Sequence, residues 1–86
     1  ETSEVGHMYN IYILESKKDN SHYIGVTFDL KRRMREHNNG STRYSSKKCP
    51  YQLIWYSAFR NKIKAYDFEK YLKSSSGYAF TKKHLL

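Results

Sequence analysis

The stretch YNIYILESKKDNSHYIGVT, residues 9–27, decides the fold. Tyr9 to Leu14 is a short run of Tyr, Ile and Leu, the composition of a β-strand. Its apolar character does not alternate, so both of its faces are expected to be covered, as in the central strand of a sheet. Ser16 to Ser21 is a polar turn, and His22 to Thr27 is a second strand that closes a hairpin with the first. Gly25 inside that strand marks a bulge or a close approach to the backbone.

Outward from the hairpin, Asp29 is placed to cap a helix from Leu30 to about Asn38, which Asn38-Asn39-Gly40 stops. Ser41 to Pro50 reads as a polar, basic loop and Tyr51 to Ser57 as a third strand. Ile63, Ala65, Phe68 and Leu72 give residues 61–73 helical spacing. Ser74-Ser75-Ser76-Gly77 breaks that helix, and Tyr78 to Leu86 reads as a short basic one. The order β-β-α-β-α-α predicts an α/β (α+β) domain, a small three-stranded antiparallel sheet flanked by helices. Residues 1–7 share no pattern with the rest, and Gly6-His7-Met8 resembles a cloning scar. They are expected to be an expression-tag remnant in front of a single domain, residues 8–86.

Eighty-six residues suffice for one small core. Sixteen Lys and Arg against eight Asp and Glu give a net charge of +8, which favours a polyanionic partner, most simply nucleic acid. Discounting Glu1 and Glu4 leaves the rest more basic still. Nine tyrosines exceed what such a core holds, so some belong to a surface or a site, although Tyr is also an ordinary strand residue. No run approaches the ~20 apolar residues of a membrane span. A secretory leader is not expected. Cys49 is the single cysteine, which excludes a disulfide framework and a multi-cysteine zinc site. A reducing, cytoplasmic setting fits that usage.

Polar residues interrupt the apolar stripes at three places. Leu30, Met34 and His37 share one face of the first helix, with Arg33 beside them and one turn before His37. Such a pair either snorkels at the edge of the stripe or lines a site. Glu69 falls in the stripe of Ala65, Phe68 and Leu72, where a carboxylate needs an ion pair, hydrogen bonds or a metal. One carboxylate for a hard cation, a guanidinium for a phosphoryl group, an imidazole and tyrosines for protons are the equipment of metal-assisted phosphodiester hydrolysis. The pattern alone does not separate that from a basic binding surface.

Asn10-Ile11-Tyr12, then ten residues, then Tyr23-Ile24-Gly25 resembles the double signature of the GIY-YIG nuclease superfamily. In that family an arginine follows eight residues after the second motif and a histidine twelve after it, here Arg33 and His37, with one glutamate on a later helix, here Glu69. The resemblance covers residues 8–86 and is nearest to the small stand-alone members, often grouped with the N-terminal nuclease domain of the bacterial excision-repair endonuclease. It implies a divalent-metal-dependent DNA endonuclease. Tyr12 would be the general base or a water-orienting hydroxyl, and Tyr23 would help position the water or the scissile phosphate. Arg33 would stabilise charge on the phosphate, and His37 would hydrogen-bond within the site and assist proton transfer. Glu69 would be the sole protein ligand of one Mg²⁺ or Mn²⁺, with Arg33 and the metal favouring the Tyr12 phenolate. Gly25 would leave room beside the tyrosines. Two departures stand out. Asn10 replaces the first Gly of the signature. No Asn follows Glu69, a place that Ser74 to Ser76, Thr81 or His84 could fill.

Lys31, Arg32, Arg35, Arg43, Lys47, Lys48, Lys82 and Lys83 are candidates for phosphate contacts, each also readable as a solvated charge. Tyr44 and Tyr51 could stack on unpaired bases, and Ser75-Ser76-Gly77 could offer N–H groups to a phosphate. The expected partner is DNA, with RNA open, and a partner protein could supply specificity to a monomer or weak homodimer. The alternative is a nucleic-acid-binding module on the same fold, either non-catalytic or active only with a partner.

Overall fold

The computed structural model describes residues 8–40 and 45–86. The expected tag remnant, residues 1–7, and the candidate contacts Arg43 and Tyr44 lie outside the described residues. Strands β1 (Tyr9–Ser16), β2 (His22–Thr27) and β3 (Tyr51–Phe59) form one antiparallel sheet in the order β2-β1-β3. β1 is therefore central, as its unbroken apolar run predicts. Ile11, Ile13 and Leu14 have no exposed surface, and burying each such side chain stabilises the fold by about 1.5–3 kcal/mol.

Side chains alternate across a strand, and here the alternation divides the molecule. Ile11 and Ile13 face a cluster with Ala65 and Leu72, while Tyr12 and Leu14 face the other way, onto Tyr51. Helix α1 (Leu30–Asn38) covers the Tyr12 face through Leu30 and Met34. Helices α2 (Lys62–Leu72) and α3 (Ser75–His84) cover the Ile11 face through Phe68 and Phe80. α2 lies against β2 and β1, and α3 packs on α2. No helix among the described residues is long and apolar enough to cross a membrane.

Each helix starts on a side-chain cap that accepts an otherwise unpaired N–H. Asp29 accepts from Arg32, Asn61 from Lys64 and Ser74 from Gly77. At the far end of α1, Asn38 Oδ1 accepts the Tyr51 N–H and its Nδ2 donates to the Tyr51 carbonyl at 3.4 Å. The side-chain amide thus stands in for a strand partner and ties α1 to the first residue of β3. The hairpin turn passes through Asn20 at φ 64°, a left-handed conformation that Asn tolerates. Ser16 Oγ donates to the Lys48 carbonyl at 2.7 Å, and Lys48 Nζ meets Asp19 Oδ2 at 2.8 Å, fastening the turn to the chain before β3.

Four details differ from the sequence reading. β1 and β3 each run two residues further, to Ser16 and Phe59. Register slips between Ile13, opposite Trp55, and Leu14, opposite Leu53, which leaves Ile54 as a bulge. The basic loop contains one helical turn, Ser45–Lys48. The Ser-Ser-Gly run opens α3 instead of preceding it. Gly77 is buried there, and a Cβ would overlap the Tyr71 carbonyl and Leu72 Cα. Its glycine lets two helices touch, and its N–H belongs to Ser74, not to a phosphate.

Candidate active site

The site is organised around one buried phenol. Tyr12 points from the central strand to the α1 face and is 1% exposed. It pairs across the hairpin with Gly25. A Cβ on residue 25 would lie 2.5 Å from Tyr12 Oη and 2.7 Å from Cζ, so the phenol passes over the edge strand only because that residue has no side chain.

His37, on the last turn of α1, is 1% exposed, and its Nε2 lies 3.3 Å from Tyr12 Oη. Its ring packs against Tyr23 (centroids 4.6 Å apart) and edge-on against Tyr51 (5.5 Å). Burial, with the Arg33 charge adding to it, holds the imidazole below the ordinary histidine range, so it is neutral at pH 7. Nδ1 is buried with no hydrogen-bond partner among the described residues. An orphaned lone pair costs less than an orphaned N–H, which assigns the proton to Nε2. Nε2–H then donates to Tyr12 Oη.

Arg33 stands one turn before His37. Its Nη1 contacts Glu36 Oε1 at 2.7 Å, and Glu36 also meets Arg32 Nε at 3.5 Å. Glu36 keeps the guanidinium firmly protonated and restrains it beside the phenol. Glu69, on α2, is 18% exposed at its side chain and pairs with Lys73 Nζ at 3.1 Å. Its charge reaches the Tyr12 hydroxyl.

The phenol's pKa is pushed up to about 12, chiefly by burial and then by the Tyr23 and Glu69 charges. Arg33 pulls the other way, as expected from the sequence, and is outweighed. Arg33 thus favours the phenolate in the sense expected, while burial keeps the phenol protonated in the free protein.

Among the described residues no three His, Cys, Asp or Glu side chains gather as a metal cluster. Glu69 offers a carboxylate whose charge acts on the phenol. That donor set suits a hard cation that keeps its waters and takes substrate oxygens, and does not suit a metal that needs nitrogen or sulfur ligands.

The structure thus brings Tyr12, Tyr23, Arg33, His37, Gly25 and Glu69 together. Glu36 was missed by the sequence reading, although its place three residues after Arg33 on a helix was a usable signal. Tyr51 is 4% exposed, with its ring against His37, which corrects its expected role as a base-stacking residue. Lys31, Arg32, Arg35 and Lys47 are exposed on or near the α1 face, while Lys82 and Lys83 are exposed on α3, across the sheet. Lys48 is engaged with Asp19. Of the groups considered for the missing Asn, Ser74 caps α3, Thr81 is buried on α3 and His84 packs against Phe80.

A phenol, an imidazole, a guanidinium and a carboxylate drawn from a hairpin and two helices define a phosphoryl-transfer type of site on a three-stranded α/β scaffold. The chain belongs to the GIY-YIG family: residues 8–83 match the model of the GIY-YIG catalytic domain. It is 40% identical to a structure-specific endonuclease subunit SLX1 homolog of Drosophila mojavensis, over 78% of this chain and 25% of that protein. It is 38% identical to a UPF0213 protein of Streptococcus pneumoniae, over 78% of this chain and 68% of that protein. The solution NMR structure of a UPF0213 protein from Bacillus halodurans superposes with a TM-score of 0.56 at 32% identity, over 88% of this chain and 83% of that one. The chain thus spans a quarter of the fly relative's length and about two thirds of the streptococcal one's.

Proposed function

We propose that this protein is a divalent-metal-dependent endonuclease that hydrolyses phosphodiester bonds in DNA. The observation that carries the reading is the convergence of Arg33, His37 and the Glu69 charge on the buried hydroxyl of Tyr12. The family to which the chain belongs, the fly relative's name and the net charge of +8 support it.

Arg33, restrained by Glu36, binds the scissile phosphate and offsets the charge that builds on it. Tyr12 contacts the attacking water and takes its proton as the water oxygen bonds to phosphorus and the P–O bond to the leaving strand breaks. The Tyr12 phenolate needed for that step is stabilised by Arg33 and by the His37 Nε2–H. Tyr23, tilted against His37, borders the water's approach. Glu69 would hold the Mg²⁺ or Mn²⁺, which when bound supplies positive charge that stabilises the phosphorane and favours ionisation of neighbouring groups. Burial favours the protonated form of Tyr12 in the unloaded site.

Nicking of supercoiled plasmid at low salt tests this. Wild-type protein should nick in Mg²⁺ or Mn²⁺ and not in EDTA. Arg33→Ala should lose roughly 10²–10³-fold and Tyr12→Phe about 10²–10⁴-fold, with Glu69→Ala inactive and all three still binding the plasmid. The rate should climb with pH through the neutral and alkaline range as the phenolate fraction grows. Metal-independent binding with no nicking by folded protein would refute a self-sufficient nuclease. A second reading, activation by a partner, is favoured by the relative named as an endonuclease subunit.

A further inference from the structure

On the far side of the sheet from Tyr12 lies a cleft of about 500 Å³ between the hairpin, the end of α2 and α3. Ile24 and Leu72 form its apolar floor over Ile13. Lys73 and Lys82 stand at its rim, where the exposed Tyr78 ring lies 5.7 Å beneath Lys82 Nζ. Lys82 makes no ion pair among the described residues. Thr81 is 5% exposed, lines the cleft, and its Oγ1 has no hydrogen-bond partner. A buried hydroxyl without a partner among the described residues is costly, and here its residue lines a cavity large enough for a small molecule. An apolar floor, one hydrogen-bonding hydroxyl and two ammonium groups suit a flat, mostly apolar ring joined to an anion.

We propose that this cleft is a nucleotide subsite, taking a base against Ile24 and Leu72 within reach of Thr81 Oγ1 and its phosphate on Lys73 and Lys82. It deepens the nuclease reading, on which its choice of ligand rests. It also connects with the site in front of the sheet. Lys73 lines the cleft and pairs with Glu69. A phosphate in the cleft competes for Lys73 and loosens its hold on the carboxylate that would carry the cation. Filling the rear subsite and freeing Glu69 are then one event. The nucleotide comes either free in solution or as part of a strand, and the shared chemistry is the same.

The test is an NMR titration of the whole ¹⁵N,¹³C-labelled chain, without metal. The probes are deoxyadenosine 5′-monophosphate, deoxyadenosine, inorganic phosphate and a short single-stranded oligonucleotide. The monophosphate or the oligonucleotide should shift the amides of Ile24, Thr81 and Lys82 saturably, together with the Glu69 carboxyl carbon. Saturation by one and not the other identifies the source. Thr81→Val and Lys82→Met should each weaken binding by about two- to tenfold. Thr81→Val should at the same time raise the melting temperature, because it removes the orphaned hydroxyl without changing shape. A purely structural Thr81 would give the thermal gain with unchanged affinity, and that result overturns the assignment. So do absence of saturation, a response confined to residues around Tyr12, and full reproduction of the response by inorganic phosphate alone. Saturable filling by protein that never nicks plasmid upholds the subsite and refutes the self-sufficient nuclease. Nicking with an unresponsive cleft does the reverse.

Discussion

Gly25 and Tyr12 act as one unit, because the phenol occupies the volume that any side chain at residue 25 would need. Gly25→Ala should therefore reduce plasmid nicking at least as far as Tyr12→Phe does, about 10²–10⁴-fold. It should also cost about 1–3 kcal/mol of stability through overpacking, measured by urea denaturation. His37 makes a prediction about pH. Its folded pKa lies below that of an unfolded histidine, about 6.5. As pH falls through that value the unfolded chain takes up a proton that the folded chain refuses, so stability declines on acidification. His37→Gln should flatten that acid limb of the denaturation midpoint, and an unchanged limb would show that His37 is not its source. The catalytic candidates were legible one residue at a time, because Arg33, His37 and Glu69 are polar groups set into apolar helical faces. Their electrostatics were not. Arg33 does favour the Tyr12 phenolate, but burial decides the sign, and burial depends on how β2 and α1 close over the ring. Tyr51 was misread for the same reason, since a strand's first residue is exposed or buried according to what packs on it.

Element existence was readable from runs and periods, and element boundaries were not. The two extra residues of β1 and β3 are polar or small at several positions, and ladder pairing alone keeps them extended. The opening of α3 is the instructive case. Three serines and a glycine resemble a break, yet Ser74 supplies the cap and Gly77 the close contact with α2. In an exposed helix Gly→Ala gains roughly 0.5–1 kcal/mol. Gly77→Ala should instead lose about 1–3 kcal/mol and lower the melting temperature, because its Cβ meets the backbone of Tyr71 and Leu72. A rise in melting temperature would mean that α2 and α3 can slide apart at no cost. The rear cleft was beyond sequence reading, since the hairpin, α2 and α3 must dock before Thr81 and Lys73 share a wall.

At the scale of the whole molecule, positive charge is spread over both covered faces of the sheet instead of one stripe, with Lys31, Arg32 and Arg35 on α1 and Lys82 and Lys83 on α3. Only part of it can meet one duplex at a time. Plasmid affinity should fall linearly with salt on logarithmic axes, with a slope much shallower than the roughly −7 that eight neutralised phosphates at about −0.9 each would give. A slope matching all eight charges would mean that the nucleic acid wraps the protein. The division of the molecule also rests on the parity of β1. Odd-numbered Ile11 and Ile13 serve one half and even-numbered Tyr12 serves the other. A single codon gained or lost between Tyr12 and the turn after Ser16 would exchange these duties, sending the reactive hydroxyl into the oily side and an isoleucine into its place. Length changes in this strand are then tolerable only in pairs, and point substitution is left as the main route by which Asn10 and its neighbours can vary.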